Sequence, residues 1–115
     1  MNLNHLHLHV QDLDRAKRFY ESYLSFEERR REDEILFLRS ADGFDLALTP
    51  DPRPASMPEW FHFGFHLPTA QEVRDLHQRM RAEGVRMPKP LFETEDFVSF
   101  RCTDPDGYAI EIYWE

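Results

Sequence analysis

The chain has 115 residues, of which 41% are hydrophobic, 14% aromatic and 31% charged, a balance that suits one compact domain and excludes intrinsic disorder. Fourteen Lys and Arg against 22 Asp and Glu leave a net charge of −8, which repels a phosphate backbone and argues against nucleic acid as a partner. A lone cysteine, Cys102, excludes an internal disulfide. No run approaches the ~20 apolar residues of a membrane span and no basic-then-apolar leader is visible, so a cytoplasmic protein without membrane contact is expected.

Taken in chain order, Leu3 to Val10 alternates, with Leu3, His5, His7 and His9 on one parity and Leu6, Leu8 and Val10 on the other, which predicts a strand. Asp12 reads as a helix N-cap, and Ala16, Phe19, Tyr20, Tyr23 and Leu24 then recur at helical spacing. Strands follow at 26–31, 34–40 and 43–49, the last two joined by the turn Ala41-Asp42-Gly43. The run Arg29-Arg30-Arg31 is hemmed in by Glu27, Glu28, Glu32, Asp33 and Glu34, so it reads as a solvated strand edge. Residues 49–58 contain four prolines and form a stiff connector.

The order then repeats. Trp60 to Leu67 reads as a strand in which Phe61, Phe63 and Phe65 alternate with His62, Gly64 and His66. Thr69 and Glu72 make a capping box, Val73, Leu76 and Met80 a helix stripe, and Gly84 a helix end. Strands are predicted at 84–88, 96–102 and 107–114, with Asp104-Pro105-Asp106-Gly107 as a hairpin turn. His5 to His62, His9 to His66 and Asp12 to Thr69 are each 57 residues apart, and the turn glycines Gly43 and Gly107 are 64 apart. The expected fold is α+β. Two tandem βαβββ modules, residues 1–50 and 59–115 of one domain over 1–115, curl into a cupped, incomplete β-barrel around a central cavity, because neither sheet buries its face alone.

Five of the six histidines (His5, His7, His9, His62 and His66) stand on the two opening strands, and alternation puts those of each strand on one face. His77 lies in the second helix and reads as packing or surface. Glu111 interrupts the otherwise apolar strand Tyr108-Ala109-Ile110-Glu111-Ile112-Tyr113-Trp114. A carboxylate on a largely buried strand costs several kcal/mol unless it is paired or metal-bound. Two imidazoles and one carboxylate make the facial-triad pattern, which leaves positions on a divalent ion open for a ligand.

The residues Leu3-Asn4-His5-Leu6, Val10-Gln11-Asp12-Leu13-Asp14-Arg15-Ala16 and Phe19-Tyr20, followed by Phe61-His62-Phe63-Gly64-Phe65, Asp104-Pro105-Asp106-Gly107 and Ile110-Glu111-Ile112, resemble the vicinal oxygen chelate superfamily. That group includes glyoxalase I, extradiol dioxygenases, fosfomycin-resistance enzymes and bleomycin-resistance proteins. The resemblance implies metal ligands at His5, His62 and Glu111, one divalent ion per site (Fe2+ or Mn2+ first, then Zn2+, Ni2+ or Mg2+), a small-molecule substrate and a homodimer.

Among the activities it implies, a glyoxalase I mechanism lacks its second glutamate, because Ala47 stands 64 residues before Glu111. The chain ends at Glu115, directly after the ligand strand, so the cationic pocket of a fosfomycin enzyme is not expected. Extradiol-type chemistry leads, with His66, His7 and Tyr113 as candidate acid–base groups. His9, Ser99, Arg101, Phe97 and Trp60 are the candidate substrate-pocket residues. A glyoxalase-like isomerase or lyase and a metal-free, bleomycin-resistance-like binding protein are the alternatives.

Overall fold

The computed structural model describes all residues 1–115, which divide into two compact units, Met1–Ala55 and Ser56–Glu115. The first contains β1 (His5–Val10), α1 (Leu13–Leu24), β2 (Glu27–Glu32), β3 (Ile35–Arg39) and β4 (Asp45–Pro50). The second contains β5 (Phe63–His66), α2 (Ala70–Ala82), β6 (Lys89–Glu93), β7 (Val98–Thr103) and β8 (Ala109–Trp114). Each unit is therefore the expected βαβββ, with its own four-stranded sheet in the orders β1-β4-β3-β2 and β5-β8-β7-β6. The first and last strands of a unit pair in parallel and the other neighbours pair antiparallel. No helix is long and apolar enough to cross a membrane.

The helices start where side chains can satisfy free backbone donors. Asp12 accepts from the Arg15 N–H, and Thr69 accepts from the Glu72 N–H, as the capping patterns predict. The second helix closes with Gly84 at φ +80°, the Gly84 N–H donating to the Arg81 carbonyl and the Val85 N–H to the Met80 carbonyl. Buried Ala16, Phe19 and Tyr20 on α1, and Val73 and Met80 on α2, supply the helices' apolar faces. The sheets answer with rows of cross-strand partners, Leu8–Leu48–Leu36 in the first unit and Phe65–Ile112–Phe100 in the second. Each leucine or isoleucine fully buried in such a row contributes roughly 1.5–3 kcal/mol.

Most strands fall within two residues of their expected bounds, and two depart further. The strand expected over Trp60 to Leu67 spans only Phe63–His66, because the Phe61 N–H donates back to the Pro58 carbonyl and turns the chain before it can pair. The strand expected at 84–88 lies instead at Lys89–Glu93, since Gly84 and Val85 are spent on the helix cap. Pro90 is tolerated in β6 because that strand is the sheet edge and its pairing is irregular between Lys89 and Phe92. The other outer strand, β2, is exposed along its whole length and carries the arginine run, a charged edge that discourages pairing with other chains.

The Asp104 turn joins β7 to β8 and sets their register. Asp104 is 4% exposed, and its Oδ1 accepts from the N–H groups of Asp106 (2.9 Å) and Tyr108 (3.0 Å). Gly107 closes the turn at φ +90°, where other residues are strained. Replacing Asp104 by Ala leaves both donors unmatched and should destabilise the protein by about 2–3 kcal/mol in urea unfolding. A loss below about 0.5 kcal/mol would refute this account of the turn.

Candidate metal centre

On the face opposite the apolar rows, alternation places a second set of side chains. In the first unit the row is His7–Ala47–Phe37, and in the second it is Gly64–Glu111–Arg101. Ala47 and Glu111 therefore occupy equivalent places, as the 64-residue spacing predicts. The next row of the second unit is His66–Tyr113–Ser99. Five of the expected site residues, Glu111, Arg101, His66, Tyr113 and Ser99, thus lie on adjacent rows of one sheet face.

Their contacts form a connected chain. The Ser99 hydroxyl donates to Glu111 Oε2 at 3.2 Å, and Arg101 Nε stands 3.6 Å from the same oxygen. Arg101 Nη2 donates to His62 Nε2 at 3.2 Å, while His62 Nδ1 lies 3.1 Å from the Trp60 carbonyl. A guanidinium can only donate and a carbonyl can only accept. His62 therefore carries its proton on Nδ1 and keeps its lone pair on Nε2. The Arg101 and Glu111 side chains are 21% and 26% exposed, so their pair is partly shielded from water.

The remaining expected residues are placed as follows. The His66 and Tyr113 rings meet edge to face at 5.3 Å, and the Phe97 ring lies 6.3 Å from that of Tyr113. Trp60 contributes its carbonyl to His62, but the residue is 77% exposed and its ring meets only that of Phe61. In the first unit, His5 Nδ1 bonds Asn4 Oδ1 at 2.9 Å, an acceptor, which leaves the lone pair on Nε2. His7 Nε2 bonds the Thr49 hydroxyl at 2.6 Å, and His9 Nδ1 bonds Asp51 Oδ2 at 3.0 Å.

Asp51 is held below the usual carboxylate range first by His9 and then by the Arg53 N–H. A lowered carboxyl pKa favours the fold above the unfolded value near 4, and this contribution fades as pH falls through the folded value. His77 packs against Phe100 at 5.0 Å, and burial foremost holds its pKa below the ordinary imidazole value.

Asn4, Thr49 and Asp51 were not singled out by sequence reasoning. Parity could have found Thr49, which lies 64 residues before Tyr113. Counting outward from the Asp104 turn could likewise have set Arg101 opposite Glu111.

The family profile of the Glyoxalase/Bleomycin resistance protein/Dioxygenase superfamily matches residues 2–112. The chain belongs to this superfamily. It is 31% identical to an uncharacterized protein of Pseudomonas aeruginosa, over 96% of this chain and 86% of that one. It is 26% identical to the glutathione transferase FosA of Serratia marcescens, over 97% and 79%. Among solved structures, a possible glyoxalase from Bacillus cereus aligns with a TM-score of 0.83 at 27% identity, covering 97% of both chains. The fosfomycin resistance protein FosX of Listeria monocytogenes shares the fold, with a TM-score of 0.86 at 23% identity over 100% of this chain and 93% of that one.

Superfamily members generally use divalent metal ions. No three His, Cys, Asp or Glu side chains are gathered closely enough in the structure to hold a metal ion. His5 and His62 each tie Nδ1 to an oxygen acceptor and keep Nε2 as a lone-pair donor, the arrangement that orients metal-binding imidazoles. His62 Nε2 and Glu111 Oε2 already address a single cation, the Arg101 guanidinium.

Cys102 stands outside this chemistry. It is buried in the apolar row with Phe63 and Ile110, and burial, then the nearby Asp104 charge, pushes its thiol up to about 12. The folded protein should resist iodoacetamide at pH 8 and be alkylated only after unfolding. Rapid modification of the native chain would show that this strand is not packed as described.

Proposed function

We propose that the chain is a divalent-metal-dependent enzyme that holds two adjacent oxygens of a small substrate on a site built from His5, His62 and Glu111. The observation that carries this reading is the state of the two histidines. Both have Nδ1 committed to oxygen and the lone pair on Nε2, and the second unit's carboxylate addresses the same cation, the Arg101 guanidinium, as His62 Nε2 does. When bound, a divalent ion would supply Lewis-acid stabilisation of the enolate, alkoxide or diolate that forms on the substrate.

The chain's own groups divide the remaining work. Ser99 orients Glu111 through its hydroxyl. His66, stacked edge-on to Tyr113 and on the same face as Glu111, is the candidate proton carrier, because an imidazole nitrogen can both accept and donate a proton. Tyr113 limits the rotation of that ring and offers a phenolic hydroxyl to an anionic oxygen. His7 is the corresponding candidate in the first unit, oriented by Thr49. Phe97 supplies apolar wall beside Tyr113.

Extradiol-type opening of a catechol on Fe2+ or Mn2+ leads, supported by the two-histidine, one-glutamate set and by the His66–Tyr113 pair. A glyoxalase-like isomerase or lyase, or a thiol transferase, is the second reading. The glyoxalase and glutathione transferase names of the relatives favour it. A homodimer belongs to both readings.

Anaerobically purified protein should carry about one Fe or Mn per chain, and the His5→Ala, Glu111→Ala double variant should carry none. Oxygen uptake with catechols, and loss of glutathione in the presence of fosfomycin, then separate the two chemistries. In either assay Glu111→Gln should lower turnover by at least about 100-fold while far-UV circular dichroism stays unchanged. Full activity in that variant, or a metal content that ignores the double substitution, would retire the reading in favour of a protein that only binds small molecules.

A further inference from the structure

We propose that the edge strand β6 selects the ligand: Phe92 extends a platform of rings that takes a planar aromatic group, and Lys89 takes the anionic substituent on that group. The ligand class is then a small aromatic carboxylate. This names a substrate class for the face already proposed as the site, and rests on that reading for the location alone.

Register places both residues. Lys89 pairs with Arg101 and Phe92 with Ser99, so both stand on the face that carries Glu111. The row His66–Tyr113–Ser99 therefore continues to Phe92, and the row Gly64–Glu111–Arg101 continues to Lys89. The irregular pairing between Lys89 and Phe92 absorbs the extra residue that would otherwise turn one of them to the opposite face. Glu93, the next residue, points the other way and bonds Arg74 of α2.

The rings make a continuous surface. Phe92 meets Phe97 at 6.2 Å between centroids, Phe97 meets Tyr113 at 6.3 Å, and Tyr113 meets His66 at 5.3 Å. Phe92 is 59% exposed. A single exposed apolar side chain is ordinary, but an exposed ring that ends an unbroken aromatic row beside polar groups is a contact surface. A sheet edge as such does not call for it: β2, the corresponding strand of the first unit, holds only Glu and Arg.

Charge decides what the ring carries. Of the two lysines, Lys17 is paired with Glu28 at 3.2 Å, whereas Lys89 is exposed and forms no ion pair. Arg101, in the same row, is matched by Glu111. Lys89 is thus the uncompensated cation of this face, in a protein whose net charge of −8 leaves few places for an anion. The rows of Lys89 and Phe92 are one strand repeat apart, roughly 7 Å, which a carboxylate on a one- or two-ring skeleton spans.

The probe is 2-naphthoate, titrated calorimetrically into the full chain as purified and again in EDTA. Phe92→Ala should weaken binding about tenfold, and Phe92→Tyr, which keeps a ring, should stay close to wild type. Decalin-2-carboxylate, with the charge but no planar ring, should bind wild type several-fold more weakly. Lys89→Gln should weaken 2-naphthoate several-fold and leave the neutral 2-naphthylmethanol unchanged. Both positions are exposed, so far-UV circular dichroism should not change in any variant.

Unchanged affinity in Phe92→Ala, or equal affinity for the flat and saturated acids, would overturn the platform. Equal losses for acid and alcohol in Lys89→Gln would overturn the anion assignment. A Phe92→Ala chain that binds 2-naphthoate normally but sediments as a smaller species would make the ring an interface between copies and end the proposal. Wild-type protein that fails to bind 2-naphthoate at millimolar concentration would end it too. The metal reading fails separately: 2-naphthoate binding that survives EDTA and Glu111→Gln, in a chain that carries no metal, retires that reading and leaves the platform standing.

Discussion

Parallel pairing of β1 with β4 and of β5 with β8 constrains everything else in each unit. Parallel neighbours cannot be joined by a hairpin, so the chain must cross the sheet between them, and the helix is part of that crossing. The crossing covers one sheet face with α1 or α2 and commits that face to Leu, Ile and Phe. It also brings the opening strand of a unit against its closing strand. Gly64 and Glu111 become direct neighbours although 47 residues separate them. Through this pairing a carboxylate on the unit's last strand lies beside the unit's first strand.

Once the apolar faces are spent on folding, the opposite faces are free to differ, and they do. The apolar rows match between the units in character, Leu8–Leu48–Leu36 in one answering to Phe65–Ile112–Phe100 in the other. The polar rows are exchanged: His7–Ala47–Phe37 in one unit answers to Gly64–Glu111–Arg101 in the other. Gly64 is part of this exchange. A Cβ there would meet Glu111 Cβ and Tyr113 Cε1 at 3.7 Å each, so a methyl group fits but a histidine like His7 would compete with the Glu111 side chain for room. The larger group moves across the strand pair from one unit to the other, and the volume of the row is roughly kept.

The fold was legible because its signals are local and redundant. Alternation over His5–Val10, the caps at Asp12 and Thr69, and the turn glycines each name an element, and the repeat confirms one half with the other. Errors fell where a hydrogen bond outside the strand pattern took the residues away. Val85 looks like a strand residue but serves the helix cap, and Phe61 alternates properly but is turned back by Pro58. The identities of Glu111, His62 and His5 were legible as candidates. Their partners were harder. Ser99 and Arg101 reach Glu111 through register, which follows from the length of the Asp104 turn, whereas the bond from Arg101 to His62 joins β7 to a residue outside any strand, and no periodicity encodes it.

The electrostatic requirement on Glu111 explains why Arg101 is where it is. An ionised carboxylate three-quarters shielded from water needs a positive group beside it, or it costs several kcal/mol. Net charge does not help, since at −8 the surrounding protein is of the wrong sign. The arginine run on β2 does not help either, because Arg29, Arg30 and Arg31 are each engaged with acidic residues of the first unit. Compensation has to come from a residue facing Glu111 directly, and the antiparallel neighbour β7 provides that position. Arginine suits it better than lysine, because a planar fork can address an imidazole nitrogen and a carboxylate oxygen at once, whereas an ammonium is a point charge. The same fork ties His62, which no strand ladder holds, to the sheet that carries Glu111.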